Sequence, residues 1–483
     1  MGWPVPVYAG VSLVPSSPHL SLVLEDSHEI RGLLLRARAS DYRFALSSPG
    51  QHNGHSNLLW PTVLNSKETI MEVLHQRCAG MDISKRDAKV CVRTPGTRHN
   101  TFAKVVTVSG AMTNDIIALR DYLLTEQVTL VVMEATGDYW KPFYYLLDPA
   151  LNVMLVNARH AKNMPGRKTD VSDSQWLAEL GAHGLVRPSF VPPEDIRQLR
   201  DLTRSRTIFV AEKTREIQRV EKMLEDANIK LSSVATRTLG VSGRAMVEAL
   251  IAGERNPEAL AALARGRLKN KNEQLIRALD GRFNDHHAFT ARMHLDHIDE
   301  LEHRIAGLSE RVDTVIGPLA PCIDLLSTIP GVSKTVAEII IAETGADMTQ
   351  FPTAAHLASW AGVCPGHNES AGKRKSSHAR PGNSHLKGAL GIAAMAAVRT
   401  NGTYLQARYK RLTSRRGPMR ALVAIEHTMI IAIWHMFTNG TVFEDLGSDH
   451  FQRTHRKDAE RKAIKQLHQL GYEVQLAPLT AAS

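Results

Sequence analysis

The sequence predicts an α/β domain, then a charged helical region, then a mainly α-helical C-terminal domain. Short apolar runs separated by turn residues occupy residues 79–156, heptad steps occupy residues 298–315, and helical patterns joined by a Pro-Gly turn follow residue 324. The length of 483 residues allows about three domains at roughly 150 residues each. The expected divisions are an extension over 1–70, the α/β domain over 71–194, the helical region over 195–320, the C-terminal domain over 321–450 and a basic tail over 451–483.

Residues 1–70 are rich in Pro, Ser, Gly and His and show no sustained hydrophobic period. A segment of this composition buries too little apolar surface to offset the entropy of ordering. We interpret it as a disordered or artefactual extension, with Met71 as an alternative translation start.

Three short strands with turns between them open the α/β domain, at residues 80–84, 88–92 and 102–108. The elements that follow are a helix over 114–125, strands over 128–133 and 153–156, and a helix over 169–183. Three antiparallel strands followed by alternating helices and parallel strands describe a mixed α/β sheet.

Apolar residues in the helical region recur at alternating steps of three and four, which is the a/d spacing of a coiled coil. They are Ile298, Leu301, Ile305, Leu308, Val312 and Val315 in one run and Ile217, Val220 and Leu224 in another. The region is therefore predicted to be a helical hairpin, a dimerising coiled coil, or a helix pair packed onto another domain.

The C-terminal domain begins with a pattern typical of a helix-hairpin-helix element, at residues 326–333 and the helix over 335–344. In such an element a Gly turn, here at Gly331, presents backbone N–H groups to a phosphate at a helix N-terminus. The alternative is an ordinary Pro-Gly turn before a helix that Ser333 caps.

The charge distribution favours a nucleic-acid partner. The chain has 59 Lys and Arg against 49 Asp and Glu, a formal net charge of +10. Residues 373–420 contain many Lys and Arg but no Asp or Glu, and a block of one sign suits a polyanion because neutralised phosphates release condensed counterions. A solvated basic surface is the alternative. Aromatic residues make up only 5% of the chain, which argues against the base-stacking platforms of single-strand binders.

Several other classes of protein are disfavoured. The four cysteines form neither a C-x-x-C pair nor a Cys/His cluster of zinc spacing, so no disulfide framework or zinc finger is predicted. The most apolar stretch, residues 429–437, is shorter than a membrane-spanning helix requires. The N-terminus lacks the pattern of a signal peptide, so we expect a cytoplasmic protein with no membrane partner.

Four carboxylates are the candidate catalytic residues of the α/β domain. Asp82 lies in the first strand, Glu134 ends a buried strand, and Asp170 and Asp173 lie three apart on a predicted helix. Four converging acids would hold two divalent ions about 3.5–4 Å apart, as in two-metal phosphodiester chemistry, and Mg²⁺ suits all-oxygen ligands best. Each acid alone also has an ordinary explanation, as a turn cap, an ion-pair partner or a first-turn acid.

A Gly-rich basic loop carries the second candidate group, Ser370. A serine in such a loop is a nucleophile if a base or a metal activates it; the alternative is a phosphate contact or a turn residue. The residues expected to bind nucleic acid are Arg167, Lys168, Gly331, Lys373, Arg374, Lys375, Arg380, Asn383, Lys387, Arg415 and Arg416.

Four sequence strings carry a resemblance to a known family: Gly80–Lys85, Met133–Gly137, Asn163–Asp173 and Glu369–Lys373. They resemble the DEDD transposases of bacterial insertion sequences, the bridge-RNA-guided recombinases. The match runs from about residue 80 to about residue 424, and the Pro-Gly-Arg-Lys-Thr-Asp-x-x-Asp stretch within it is highly specific.

The resemblance implies a RuvC-like (RNase H fold) N-terminal domain, a coiled-coil middle that dimerises, and a C-terminal transposase domain. By its motifs, Asp82, Glu134, Asp170 and Asp173 would bind Mg²⁺, and Ser370 would form a 5′-phosphoserine link to DNA. The implied partners are double-stranded DNA and a structured non-coding guide RNA. The implied assembly is a homodimer or homotetramer, in which acids and serine from different protomers complete one active site.

Three functions follow as hypotheses. The first is an RNA-guided recombinase that cuts and rejoins DNA at the ends of an insertion sequence. The second is a Mg²⁺-dependent junction nuclease that hydrolyses with water and does not use Ser370. The third is a catalytically idle nucleic-acid-binding scaffold, which the complete set of acids together with Ser370 disfavours.

Overall fold

The computed structural model describes residues 73–98, 101–158, 161, 172–366, 368–370, 372–376, 378–379, 381–454 and 456–474. For some residues in helices and strands, including Ser370, Arg374 and Lys375, the description covers the backbone alone. The predicted extension over residues 1–70 lies outside the described residues, and so do Arg167, Lys168, Asp170 and Arg380.

A five-stranded mixed sheet forms the centre of the N-terminal domain. Its strands are β1 (Cys78–Ile83), β2 (Asp87–Pro95), β3 (Phe102–Gly110), β4 (Leu130–Glu134) and β5 (Val153–Val156). Their order across the sheet is β3-β2-β1-β4-β5; β1, β2 and β3 form an antiparallel meander, whereas β4 and β5 run parallel to β1. The mixed α/β sheet predicted from the sequence is confirmed, and it fits an RNase H-like domain.

Helices cover both faces of this sheet. Helices α1 (Thr113–Thr125) and α2 (Trp140–Leu147) pack on one face, and α3 (Asp173–Ala182) packs on the other. Because side chains alternate along a strand, Met81 of β1 belongs to the cluster with α1 and α2, whereas Cys78 belongs to the cluster with α3. The central strands β1 and β4 are therefore buried on both faces, and their sequences are almost continuously apolar for that reason.

Two long antiparallel helices, α4 (Glu194–Asp226) and α9 (Asp285–Ile316), dominate the helical region. Where α4 ends and α9 begins, Asp226 Oδ2 lies 3.0 Å from His287 Nε2. The shorter helices that close this end are α5 (Leu231–Val234), α6 (Val241–Ile251), α7 (Pro257–Ala261) and α8 (Asn272–Leu279).

Heptad residues of α4 and α9 are buried in cores formed by this one chain. Val220 and Leu224 of α4 share a buried cluster with Ile298 of α9, whereas Val312 of α9 joins the core of the C-terminal domain. Of the arrangements left open by the sequence, the structure has the helical hairpin, with one end packed onto another domain. A dimerising contact through its outer surface stays a prediction.

The C-terminal domain is mainly helical, as predicted. Its elements are α10 (Ala320–Ser327), α11 (Lys334–Thr344), α12 (Ala354–Trp360), β6 (Asn368–Ser370), β7 (Lys373–Ser376), α13 (Ser384–Ala397), α14 (Tyr404–Arg416) and α15 (Pro418–Asn439). The helices enclose one apolar core that includes Ile340, Leu390 and Ile430. The short helices α16 (His450–Thr454) and α17 (Arg456–Gln469) follow.

The turn between α10 and α11 has a packing role. Gly331 has a φ of +89°, and a Cβ at this position would lie 2.4 Å from the Ala393 carbonyl oxygen and 2.5 Å from the Ala397 nitrogen of α13. Ser333 caps α11, because its side chain accepts a hydrogen bond from the Val336 N–H. The structure thus accounts for Gly331 by close helix packing, and its phosphate contact stays a prediction.

Helix α15 is longer than the apolar stretch of residues 429–437 counted in the sequence. It has 22 residues, its most apolar stretch of 18 has a mean hydropathy of 1.4, and among the described helices it is the one long and apolar enough to cross a membrane by those two measures. Its residues Ile425, Met429 and Ile433 are fully buried in the C-terminal core. The helix is longer than the stretch counted in the sequence because it begins at Pro418 and includes Glu426 and His427.

Candidate active site

Asp82 and Glu134 lie side by side at one edge of the sheet. The parallel strands β1 and β4 pair in the register Gly80 with Val132 and Met81 with Met133. The next residue of each strand is Asp82 or Glu134. Residues at the same level of paired parallel strands point to the same face, so the two carboxylates share a face at the carboxyl ends of their strands.

Helix α3 lies across that face and brings Asp173 to the same edge. A Cβ on Gly80 would lie 2.2 Å from the Ser174 carbonyl oxygen, so the missing side chain allows the first turn of α3 to touch β1. A Cβ on Gly181, at the other end of α3, would meet Val132 and Cys78. The helix therefore runs opposite to the strands, and its N-terminus lies over the end that carries the two acids.

The first turn of α3 has a complete capping box. The Ser172 side chain accepts a hydrogen bond from the Gln175 N–H, and the Gln175 side chain accepts one from the Ser172 N–H. Asp173 is the first residue of the helix and is half-buried. A carboxylate is stabilised in this position by the positive end of the helix dipole.

Glu134 is the most buried of the three described acids. Its side chain is 7% exposed, and its Oε1 accepts a hydrogen bond of 3.2 Å from the Thr136 hydroxyl. Asp82 and Asp173 are half-buried. Among the described residues, no three His, Cys, Asp or Glu side chains form a group that could hold a metal ion. That set does not include Asp170, so the four-acid Mg²⁺ site stays a prediction, although its all-oxygen donors suit that ion.

Ser370 ends the first strand of a β-hairpin, and we call the described residues among 361–383 the Ser370 arm. Strands β6 and β7 pair antiparallel, with Ser370 opposite Lys373. Gly372, just before β7, lies in a turn and has a φ of +73°, the left-handed conformation that glycine adopts readily. The arm therefore places Ser370 beside the turn at its tip.

The two sides of the Ser370 arm are joined at its base. The Asn383 N–H donates to the Trp360 carbonyl at 3.0 Å, and the Gly366 N–H donates to the His378 carbonyl at 3.0 Å. A Cβ on Gly382 would lie 2.3 Å from the Gly362 nitrogen. The base is therefore too tightly packed for a side chain at Gly382.

The predicted nucleic-acid-binding residues are distributed over the arm and two helices. Lys373 is exposed on β7, Lys387 is half-buried on α13, and Arg415 and Arg416 are exposed in the last turn of α14. Exposed cations at a helix C-terminus are favoured by the helix dipole and remain available to a phosphate.

Asn383 has a structural environment that its sequence position did not reveal. Its Oδ1 accepts hydrogen bonds of 3.0 Å from the His385 and Leu386 N–H groups, so it caps α13. Its Nδ2 donates at 2.6 Å to Glu343 Oε2. A contact between Asn383 and nucleic acid stays a prediction.

Glu343, which lies at the end of α11 and is fully buried, is a candidate residue that was not predicted from the sequence. Arg204 of α4 binds it through two nitrogens, with Nε 2.7 Å from Oε1 and Nη2 2.8 Å from Oε2. The Arg200 Nε lies 3.4 Å from Oε2. The available signal was a carboxylate within the apolar run Ile339–Thr344, because a buried charge requires partners.

Comparison with known proteins identifies two matching family models. Residues 79–229 match a model described as a transposase of the DEDD type, and residues 323–410 match the transposase model of the IS116/IS110/IS902 family. The first match contains the strands with the acids and helix α3, and the second contains the Ser370 arm.

A curated relative gives the same assignment. The chain is 35% identical over 132 residues to the insertion element IS110 uncharacterized 43.6 kDa protein of Streptomyces coelicolor. The aligned region is 26% of this chain and 31% of that protein, so it spans about a third of the relative's length. The two family models and this relative together show that the chain belongs to the IS110 family of DEDD transposases.

Proposed function

We propose that this protein is a transposase that cuts and rejoins double-stranded DNA at the ends of an insertion sequence and at its target. Family membership supports this proposal. The observation that carries it is that Asp82 and Glu134 lie at the carboxyl ends of neighbouring strands of an RNase H-like sheet, and that Asp173 begins the helix packed on the same face. Acids at the carboxyl ends of strands are well placed to serve phosphodiester chemistry.

In this proposal Asp82, Glu134, Asp170 and Asp173 hold Mg²⁺. Mg²⁺ bound there would stabilise charge on the attacking and leaving oxygens. The chain itself contributes the burial of Glu134, which excludes water around that carboxylate, and the close approach at Gly80, which fixes the distance from α3 to β1. The acids carry the same sign of charge as the phosphate, so its charge is neutralised by exposed cations such as Lys373.

Ser370 acts as the nucleophile in this proposal. Its Oγ attacks the phosphorus, the bond to the 3′ oxygen breaks, and the serine is left joined to the 5′ phosphate. The hydroxyl proton leaves Oγ and a proton reaches the departing 3′ oxygen, so the step balances. The phosphoserine ester retains the energy of the broken bond, and strands can be rejoined without an external energy source.

The proposal includes a structured non-coding RNA that pairs with DNA, and a homodimer or homotetramer. The basic segment over residues 373–420 is suited to the backbones of both nucleic acids. In such a system base pairing supplies sequence specificity, and the protein recognises shape and backbone.

Trapping of a covalent adduct tests the function. Wild-type protein, Mg²⁺, RNA transcribed from the non-coding flank of the element and an end-labelled duplex of the element terminus should give a protein–DNA adduct that maps to Ser370. Ser370→Ala should abolish the adduct and strand exchange, and Ser376→Ala serves as the matched control in the same hairpin. Cleavage without any adduct would favour the hydrolytic junction nuclease, and absence of cleavage with intact binding would favour the idle scaffold.

The acids are tested in the same assay. Asp82→Ala, Glu134→Ala or Asp173→Ala should abolish cleavage while RNA binding is retained, because these residues bind metal in the proposal. Wild-type recombination by any of these variants would contradict the metal assignment.

A further inference from the structure

Glu343 joins three separate segments of the chain. It lies on α11, it receives the guanidinium of Arg204 from α4, and it receives the amide of Asn383 from the end of the Ser370 arm. Burial opposes the ionisation of Glu343, but the hydrogen bond from Arg204 and the charge of Arg200 outweigh it and hold its pKa below the ordinary value. A carboxylate held by these charge-assisted hydrogen bonds has little freedom to move.

Asn383 transmits this rigidity to the arm. Both ends of its side-chain amide are engaged, with Oδ1 on the α13 N-terminus and Nδ2 on Glu343, and its backbone N–H is bound to Trp360. The preceding residue, Gly382, is pressed against Gly362 on the other side of the arm. The contacts of Asn383 with Glu343 and Trp360, together with the close approach of Gly382 to Gly362, therefore fix the orientation of the base of the arm.

Helix α4 connects the same point to the N-terminal domain. One turn before Arg200 and two before Arg204, the Arg197 guanidinium lies 4.1 Å from the centre of the Tyr145 ring of α2. Helix α2 follows the loop that leaves Glu134. The contacts of α4 therefore link the element next to one candidate acid with the base of the arm that carries Ser370.

A small rotation at the base would move Ser370 considerably. Ser370 lies eight residues beyond Gly362 along the chain, and eight residues span at most roughly 25 Å at about 3.3 Å per residue. Over that maximum length a rotation of about 5° displaces the tip by up to roughly 2 Å, and a misplacement of about 1 Å is enough to slow a reaction by about 100-fold.

We propose that Glu343 is a positioning residue that, through Asn383, fixes the orientation of the Ser370 arm for attack on DNA. This inference rests on the proposed role of Ser370 as nucleophile. It predicts that Glu343 and Asn383 affect the rate of adduct formation and not the affinity for DNA.

The test variant is Asn383→Ser. Serine is as good a helix cap as asparagine, but it is too short to replace the amide that reaches Glu343, so α13 is retained and the link is broken. At saturating DNA, single-turnover adduct formation on the end-labelled terminus duplex should fall by about tenfold or more, whereas the Kd for that duplex should stay within about twofold.

Glu338→Gln is the matched control. Glu338 lies on the same helix, is 2% exposed, and binds Arg206 of α4 at 2.5 Å. Its substitution breaks a buried ion pair between the same two helices without touching the arm. Its adduct rate should match the wild type at a temperature where both proteins are folded.

Several outcomes would overturn the inference. An Asn383→Ser rate within about twofold of wild type would show that the link does not matter. A raised Kd with an unchanged rate would make Asn383 a DNA contact, and an equal fall in rate for Glu338→Gln would indicate general destabilisation. Failure of the proposed function is distinguishable, because Ser370→Ala would then leave cleavage intact, or the wild type would show no cleavage at all, whatever Asn383→Ser does.

Discussion

Substitution of Gly80 by alanine tests how closely α3 must approach β1. The new Cβ would lie 2.2 Å from the Ser174 carbonyl oxygen and 2.3 Å from the Ala178 nitrogen, whereas ordinary contacts begin at 3.4 Å. Both neighbours are backbone atoms of a helix, so no side chain can rotate away. The helix as a whole must retreat, by roughly 1 Å, and overpacking of this kind costs about 1–3 kcal/mol.

The displacement acts directly on the candidate site. Asp173 begins the helix that must move, whereas Asp82 lies two residues after Gly80 on the strand that stays. A shift of about 1 Å between catalytic groups is expected to slow cleavage by about 100-fold. We expect Gly80→Ala to lower the free energy of unfolding in urea by about 1–3 kcal/mol and to require more Mg²⁺ for whatever cleavage remains.

Gly307→Ala is the matched control. Gly307 lies inside α9, where an added Cβ would meet nothing within 4 Å. Alanine in a helix interior is favoured over glycine by about 0.5–1 kcal/mol, so this variant should be slightly more stable and fully active. Wild-type stability and cleavage in Gly80→Ala would refute the close packing of α3 on β1; reduced stability with full cleavage would refute the role of α3 in placing Asp173.

Three further predictions concern charge. Because the pKa of Glu343 is lowered in the folded protein, its stabilising contribution is present above the ordinary value of 4.5 and disappears as the pH falls through the lower folded value. In urea unfolding, Glu343→Gln should therefore lose most free energy of unfolding, relative to the wild type, near neutral pH. A loss that persists in acid would contradict this. Burial raises the pKa of Glu426, whose Oε2 is buried without a hydrogen-bond partner among the described residues, so Glu426→Gln should stabilise the protein at neutral pH. That gain should shrink as the pH falls through the raised pKa, and a gain independent of pH would point to packing instead. Replacing Arg415 and Arg416 by alanine should weaken DNA binding and reduce the slope of log K against log salt by about 0.7–0.9 for each phosphate that the protein no longer neutralises; an unchanged slope would assign them to a solvated surface.

The sheet and the position of its acids were predictable because local patterns determine them. Alternation places Gly80 and Asp82 on one face of β1, and the fully apolar run before Glu134 indicates a central strand. Carboxyl ends of parallel strands meet at one edge, so the proximity of Asp82 and Glu134 follows from the strand order. The sequence pattern was sufficient because the backbone hydrogen bonds between adjacent strands bring these residues together.

Contacts between distant segments were not predictable. The a/d steps of Ile298 and Val312 serve equally well within a chain or between chains, and the structure uses them for two different cores of one chain. Glu343 meets Arg204 across 139 positions, so no local period indicates that pair. Asn383 precedes a helix in a basic loop, and its composition suggested nucleic acid, whereas its amide is bound to Glu343.

The continuity of α4 has a consequence for how this chain tolerates changes in length. The helix runs unbroken from Glu194 to Asp226, so its binding of Glu343 through Arg204 and its pairing with His294 of α9 through Glu216 are held at one angular phase. Inserting a single residue between those points would turn everything beyond it by about 100° and advance it by about 1.5 Å. Insertions of about seven or eleven residues, which are close to whole numbers of turns, would preserve the phase and extend the hairpin outward. We therefore expect this part of α4 to tolerate insertions of about seven or eleven residues but not of one, even though the segment lies far along the chain from the acids and from Ser370.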